Sequence, residues 1–235
     1  MTLYETIFAR RQVRSYLSTP LDSKTQEDIL DFARKAEQLE GQTVQLQIVP
    51  ADQVSGGQGA PCYLLAFCEP NAAAYANVGF VLQKVDLYVQ SMGLGCGWFM
   101  SVKPKESNNN FCIALAIGRT EQPMRKGAEE FKRKAPEEIC SEQNAVTQAV
   151  RLAPSSLNSQ PWTLKFEPSK ITVEDFGRGV KRIILKNKLN KIDVGIAARH
   201  AVIALEKEGA SVGSVTAKDG KDFKILISYK QEGTR

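Results

Sequence analysis

Residues 153–162 read APSSLNSQPW. Two prolines, three serines, an asparagine and a glutamine crowd into ten residues, with an aromatic at the end. Proline fixes φ and removes a backbone donor, so Pro154 and Pro161 should hold the segment in few conformations. Short donors and acceptors on a stiff backbone suit a flat, heteroatom-rich ligand better than simple chain reversal. A second group with chemical potential is Arg10-Arg11-Gln12-Val13-Arg14. Guanidinium matches phosphate bidentately, and a solvated helix face accounts for the same arginines. No pattern signals acid–base or nucleophilic catalysis. Ser155 and Ser156 have no partnering histidine, and the single histidine, His200, lies mid-helix in AARHA, where histidine is usually structural or exposed. Any redox or group-transfer chemistry would come from a bound cofactor that the protein positions.

Length and composition bound what can surround these residues. A chain of 235 residues fits one sizeable domain or two small ones. No apolar run approaches the roughly 20 residues that a membrane helix needs. The opening MTLYETIFARRQVRSYL carries Glu5 and two basic clusters, unlike a signal peptide, so the expectation is a cytoplasmic protein without a membrane partner. Cys62, Cys68, Cys96, Cys112 and Cys140 are odd in number and form no CxxC pair. They read as reduced thiols in or near a core, and one histidine leaves no metal-ligand cluster. The net charge of +5 gathers at Arg10–Arg14, at Lys132-Arg133-Lys134 and along Lys181–Lys191. No nucleic-acid motif accompanies it. A phosphate-bearing small ligand plus a solvated basic face explains the charge, with nucleic-acid binding as the competing explanation.

The elements that must position these groups follow from periodicity. Ser23-Lys24-Thr25-Gln26 resembles a capping box that opens a helix with Ile29, Leu30, Ala33 and Ala36 on its apolar face, ended by Gly41. Val44, Leu46 and Ile48 alternate as a strand over Thr43–Val49. Ser55–Gly59 is a Gly-rich hairpin loop, without the Lys-Ser/Thr ending of a phosphate-binding P-loop. Cys62–Cys68 is a continuous apolar strand. Asn71–Met92 is a helix apolar around much of its circumference, hence buried. Gly93–Met100 is a turn running into a strand, and Phe111–Ile117 another strand. Pro123–Glu138 is a charged connection with some helix.

The second half repeats the first. A shift of 116 residues places Asn77-Val78-Gly79 on Asp193-Val194-Gly195, Gly93 on Gly209 and Gly97 on Gly213. The capped helix near Thr25 falls on a helix near Ser141, and the Val44–Val49 strand falls near Trp162–Phe166. Two copies are too few for a solenoid. They indicate two fused half-units, about 1–138 and 139–235, related by a pseudo-two-fold axis within a single 1–235 domain.

APSSLNSQPW resembles the motif of the nitroreductase family, the FMN-dependent NAD(P)H oxidoreductases. Arg10-Arg11-Gln12-Val13-Arg14-Ser15-Tyr16 resembles that family's arginine-rich opening segment. The resemblance implies an α+β, nitroreductase-like fold with a mostly antiparallel sheet flanked by helices. Ordinary members are intertwined homodimers, with one subunit giving the arginine segment and the other the proline-serine-asparagine loop. Here each motif occurs once, and the place matching the loop reads Gln38-Leu-Glu-Gly-Gln-Thr43. The chain therefore resembles the short, duplicated branch. It is expected to be a monomer that mimics a dimer and keeps one of two flavin sites.

The resemblance also assigns roles. Arg10, Arg11 and Gln12 would contact the FMN phosphate, and Arg14 the N1–C2=O edge of the flavin. Pro154, Ser155, Ser156 and Asn158 would face the polar side of the ring. Gly97 and Trp98 belong to the segment offering a backbone N–H near flavin N5, although Trp98 and Phe99 are equally core candidates. Lys132 and Arg133 fall where basic residues close on the phosphate, or form a solvated charge run. Gln160 and Trp162 read as structural. The implied activity is hydride transfer from NAD(P)H through FMN to a small electron-poor acceptor such as a nitroaromatic or quinone. A flavin-binding sensor or carrier without efficient turnover is the alternative.

Overall fold

A computed structural model of the chain describes residues 1–176, 187–220 and 222–231. Helix α1 (Leu3–Ala9) is short and closed by a capping box between Thr2 and Glu5. Helix α2 (Ser23–Arg34) starts one residue earlier than a Ser23 cap allows. Asp22 is its N-cap and accepts the Thr25 N–H at 2.8 Å. A carboxylate both satisfies the orphan donor and faces the positive helix end, so it displaces the expected Ser-based box. The helix ends at Arg34 rather than at Gly41, and Gly41 instead takes a φ of 71° in the following loop.

Two four-stranded sheets form, where one mostly antiparallel sheet was expected. The first has β1 (Gln45–Pro50), β3 (Cys62–Phe67), β4 (Gly95–Phe99) and β6 (Phe111–Gly118), in the order β1-β3-β6-β4. The second has β7 (Trp162–Glu167), β8 (Lys170–Asp175), β9 (Ala210–Lys218) and β10 (Lys224–Gln231), in the order β7-β8-β10-β9. Every pairing is antiparallel. Numbered within its own half, each sheet therefore runs 1-2-4-3. A small ribbon of β2 (Val54–Ser55) and β5 (Lys103–Pro104) lies beside the Gly-rich segment, where Gln58 N–H donates to Tyr63 Oη at 2.9 Å. The charged connection holds only two 3-10 turns, Ala128–Glu130 and Pro136–Glu138. Helix α4 (Ala145–Arg151) is capped by Asn144, three residues beyond Ser141.

Helices α3 (Ala72–Ser91) and α5 (Leu189–Lys207) form the centre. Both are buried along most of their length, and their buried faces include polar residues such as Asn77, Asp86, Asp193 and Arg199 among the apolar ones. They cross at two glycines. A Cβ on Gly79 would lie 2.0 Å from the Ile192 carbonyl oxygen, and one on Gly195 would lie 1.9 Å from that of Ala76. Ile192 is the counterpart of Ala76 under the 116-residue shift. The two contacts are thus the same contact seen from either side of a pseudo-two-fold axis. The core spans both halves around this crossing, from Leu64 and Leu115 to Ile171 and Ile225.

His200 is fully buried there, with Nδ1 at 2.8 Å from the Ala149 carbonyl and Nε2 at 3.0 Å from Gln83 Nε2. Burial lowers its pKa to about 3, so it is a neutral packing element. The five cysteines are free and buried. Of the basic run Lys181–Lys191, residues 181–186 lie outside the described residues. No helix among the described residues is long and apolar enough to cross a membrane.

Candidate functional site

The arginine segment is not helical. Helix α1 ends at Ala9, and Arg10 has φ −57° and ψ 148°. The chain then runs beside β4, with Val13 N–H donating to the Cys96 carbonyl at 3.1 Å. Extended backbone sends alternate side chains to opposite sides. Arg10, Gln12 and Arg14 accordingly line one cavity of about 580 Å³, while Val13 is buried on the other side. Arg11 does not line the cavity, and its guanidinium lies 3.8 Å from Glu130, which does. The helical spacing assumed for Arg10, Arg11 and Arg14 is replaced by a period of two.

The Pro-Ser-Asn loop closes the cavity from the other half. Pro154, Ser155, Ser156, Leu157 and Asn158 line it, as do Trp98, Lys132 and Arg133. Two motifs more than a hundred residues apart therefore meet. The loop holds an unusual backbone: Leu157, Asn158 and Gln160 have φ of 53°, 52° and 45°. Left-handed residues cost roughly 1–2 kcal/mol each unless glycine or asparagine, so the surroundings must over-determine them. They do. Ser155 Oγ accepts the Gln160 N–H at 2.9 Å, and Asn158 bridges Arg133 (2.8 Å) and the Lys132 carbonyl (3.0 Å). The Gln160 side chain accepts the Lys134 N–H at 2.8 Å.

Asp193, on α5, anchors the loop from below. Its carboxylate accepts Ser156 N–H at 3.0 Å, Ser156 Oγ–H at 3.2 Å and Ser159 Oγ–H at 3.5 Å. Both donors of Ser156 are thus directed at Asp193. Burial, partly offset by these hydrogen bonds, raises the Asp193 pKa to about 7.

Gly97 and Trp98 serve the scaffold more than expected. A Cβ at Gly97 would meet the Val13 carbonyl at 2.4 Å, so the glycine admits the arginine segment; Gly97 does not line the cavity. The Gln12 amide donates to the Trp98 carbonyl at 2.8 Å and accepts the Trp98 N–H at 3.1 Å, imitating a strand partner. The Trp98 ring is half-buried at the cavity wall, and Phe99 belongs to a separate apolar cluster with Tyr63 and Leu65.

The electrostatics are one-sided. Arg10 is 1% exposed and pairs with fully buried Asp86 at 3.0 Å. Arg125 donates to the Arg10 carbonyl and lies over the Phe131 ring, 4.2 Å from its centroid, with Arg133 at 5.4 Å. Burial lowers the Arg133 pKa to about 10, and Arg10, Arg125 and Arg151 push the same way. Arg125 is lowered by burial and by Arg10 and Arg11. The buried Nε–H groups of Arg10, Arg11 and Arg133 and the Trp98 indole N–H have no partner. Buried orphan donors are costly and rare. Arg10, Arg14, Arg125, Lys132 and Arg133 line the cavity, against Glu130 and Asp193, so a phosphate-bearing ligand fits the residues present.

Arg125, Asp86 and Asp193 were missed by the sequence reading. Arg125 sits in a run that reads as solvated charge. Asp86 and Asp193 are carboxylates within long helices that are buried along most of their length, a signal that could have found them.

The fold and the paired motifs define a nitroreductase-like α+β protein built from two related halves. Residues 2–205 match the family described as "Putative TM nitroreductase", and the chain belongs to that family. A Thermotoga maritima protein assigned as a nitroreductase is similar in structure over 97% of this chain and 94% of its own, with 17% identity and a TM-score of 0.73. A Desulfovibrio desulfuricans protein of the same assignment, solved in complex with FMN, matches 61% of this chain and 98% of its own, at 18% identity and a TM-score of 0.48. Nitroreductase A of Vibrio parahaemolyticus matches 61% and 76%, at 18% identity and a TM-score of 0.47. No curated protein matches the chain.

Proposed function

We propose that the chain is an FMN-dependent oxidoreductase that passes hydride from NAD(P)H through FMN to a small electron-poor acceptor, such as a nitroaromatic or quinone. The observation that carries this reading is the cluster of cationic side chains, Arg10, Arg125, Lys132 and Arg133, that lines one cavity together with the strained loop. Family membership supports it. FMN, when bound, would supply the acceptance and release of hydride.

The chain's own residues would bind and orient. Arg10, Arg125 and Arg133 are the phosphate candidates, with Lys132 at the rim and Arg11 reinforcing the positive field from outside the cavity. Charge-assisted hydrogen bonds contribute roughly 1.5–3 kcal/mol each, so three approach the ~8 kcal/mol of a micromolar complex. Arg14 is exposed at the cavity and would place positive charge beside the ring, which favours extra electron density there. The Pro154–Asn158 backbone would offer its polar groups to the ring edge, since the loop's side chains are largely engaged by Asp193 and by residues 132–134. Trp98 supplies an apolar wall with one free donor.

Purified protein titrated with FMN should quench flavin fluorescence at a one-to-one stoichiometry, and NADH or NADPH should then bleach the flavin band. Absence of any quenching or spectral shift overturns the reading. Binding without bleaching identifies a flavin carrier or sensor instead.

A further inference from the structure

Asp193 is a carboxylate out of place. It lines a cavity whose other charges are mostly cationic, yet among the described residues no lysine or arginine nitrogen lies within 4.0 Å of it. It is 1% exposed. Everything that holds it comes from the loop: Ser156 N–H, Ser156 Oγ and Ser159 Oγ. The position is also the pseudo-symmetric counterpart of Asn77. Asn77 holds the first-half loop with a neutral amide, accepting Leu39 N–H and donating to Gln38 Oε1, both at 2.9 Å. One scaffold thus uses an amide where the loop packs back on β9 and an acid where the arginine-lined cavity lies.

We propose that Asp193 is a proton-coupled anchor of the Pro154–Pro161 loop: its carboxyl takes up a proton when an anionic ligand fills the cavity. The inference rests on the reading of the cavity as a site for an anionic flavin nucleotide. An unpaired buried carboxylate and a bound anion repel each other in a medium of low dielectric, and neutralising the carboxylate removes that repulsion. The proton enters on a carboxyl oxygen, and the other oxygen still accepts from Ser156, so the loop keeps its anchor while losing a charge.

The surrounding groups leave Asp193 as the one poised to respond. Asp175, on β8, is already paired with Lys191 of α5 at 2.6 Å. The carboxylate of Asp175 pushes the Asp193 pKa upward, in the same direction as burial. The same cavity is lined by Arg10, Arg14, Arg125, Lys132 and Arg133 with Glu130. His200, two turns further along α5, is held neutral by burial. The raised Asp193 pKa of about 7 means that ligand-free protein is poised between its two forms near neutrality.

Two measurements test this. The first uses ligand-free protein and Asp193→Asn, which copies the Asn77 arrangement. The folded Asp193 pKa lies above its unfolded value. Its contribution to stability is therefore present at low pH and lost as pH rises from about 4 to about 7. The wild-type melting temperature should fall relative to that of Asp193→Asn across this window, then run parallel above it. A difference that does not change with pH overturns the proposal. The second uses the wild-type protein alone and stands if the variant fails to fold. FMN binding heat at pH 7.5 is compared in two buffers of different ionisation enthalpy. Uptake of about half a proton per FMN is expected, falling towards zero near pH 9.5. FMN binding with no proton uptake overturns this inference and leaves the flavin reading intact. Failure of FMN to bind at all overturns both.

Discussion

Two loops occupy equivalent places in the two halves and do opposite things. Residues 38–42 follow α2 and seal the groove before them. Leu39 is 1% exposed, Glu40 N–H donates to the Val215 carbonyl of β9 at 2.8 Å, and Glu40 accepts from Thr216 Oγ1 at 2.9 Å. Residues 154–161 follow α4 and stand away from β4, the counterpart of β9. The space left holds Trp98 and Met100 at its wall. The charges differ in the same sense. Near the first loop, Arg199 lies 3.6 Å from the Phe80 ring centroid and pairs with Glu37 at 3.1 Å. Near the second, Arg125 and Arg133 crowd Arg10, and the buried Nε–H groups of Arg10 and Arg133 have no partner. One cleft is closed and internally neutralised, while the other is open and short of anions. A duplicated scaffold therefore does not dictate a duplicated site, because local loop chemistry decides which cleft stays open.

The hardest blow to this comparison falls on the shared axis. Gly195→Ala places a Cβ against the Ala76 carbonyl, and Gly79→Ala does the same against that of Ile192. Each should cost about 3 kcal/mol, since overpacking forces two backbones apart. Urea unfolding should show equal losses for the two variants if the halves are equivalent at their crossing. A loss in only one would mean that the symmetry is superficial.

The next effect separates the clefts. Arg133→Ala should weaken FMN binding by about 10- to 100-fold, the equivalent of one charge-assisted contact, and should also loosen the loop that Arg133 holds through Asn158 and the Leu152 carbonyl. Arg199→Met should instead lower the melting temperature while leaving FMN affinity within about twofold. Fluorescence titration and thermal melts on the same preparations test both. Equal effects of the two changes on FMN affinity would remove the distinction.

A smaller, pH-dependent difference lies at position 200, whose counterpart is the surface-paired Lys84. The folded pKa of His200 is lowered to about 3, below its unfolded value near 6.5. Its contribution to stability is present above pH 6.5 and is lost as pH falls towards 3. His200→Gln should flatten that acid limb in a plot of melting temperature against pH. An unaltered limb would show that other groups cause it.

The smallest effect is expected at Arg14, which is exposed. Arg14→Ala should weaken FMN about threefold, or lower the flavin's reduction potential, as an exposed charge contributes under about 1 kcal/mol. Unchanged values for both would place Arg14 outside the site.

Much of the scaffold was legible because its physics is local. A helix apolar around much of its circumference between Asn71 and Met92 is driven inside, and the structure gives α3 those two residues as caps. Alternation over Val44–Ile48 marks a strand and the unbroken apolar run from Cys62 a central one; β1 and β3 form there, with β3 inside the sheet and β1 at its edge. Elsewhere local signals compete. Asp22 outbid Ser23 as a cap because its carboxylate reaches the same donor and also suits the helix dipole. Asn144 replaced Ser141. The spacing of Arg10 and Arg14 fits one helical turn as well as one face of an extended segment, and only pairing with β4 resolved the choice.

The candidate site divides the same way. The residue types in APSSLNSQPW and the arginine segment were visible in the chain itself, as was the 116-residue repeat that made the two motifs partners. Those properties need nothing beyond side-chain chemistry and order along the chain. Three things were settled only by folding. The crossing of α3 and α5 brought the motifs to one cavity. Left-handed backbone at Leu157, Asn158 and Gln160 was imposed by bonds to residues 132–134 and 155. Arg125, Asp86 and Asp193 joined through contacts with distant segments. The reason in each case is that burial, field and hydrogen-bond partner belong to a place in space, and a position in sequence does not carry them.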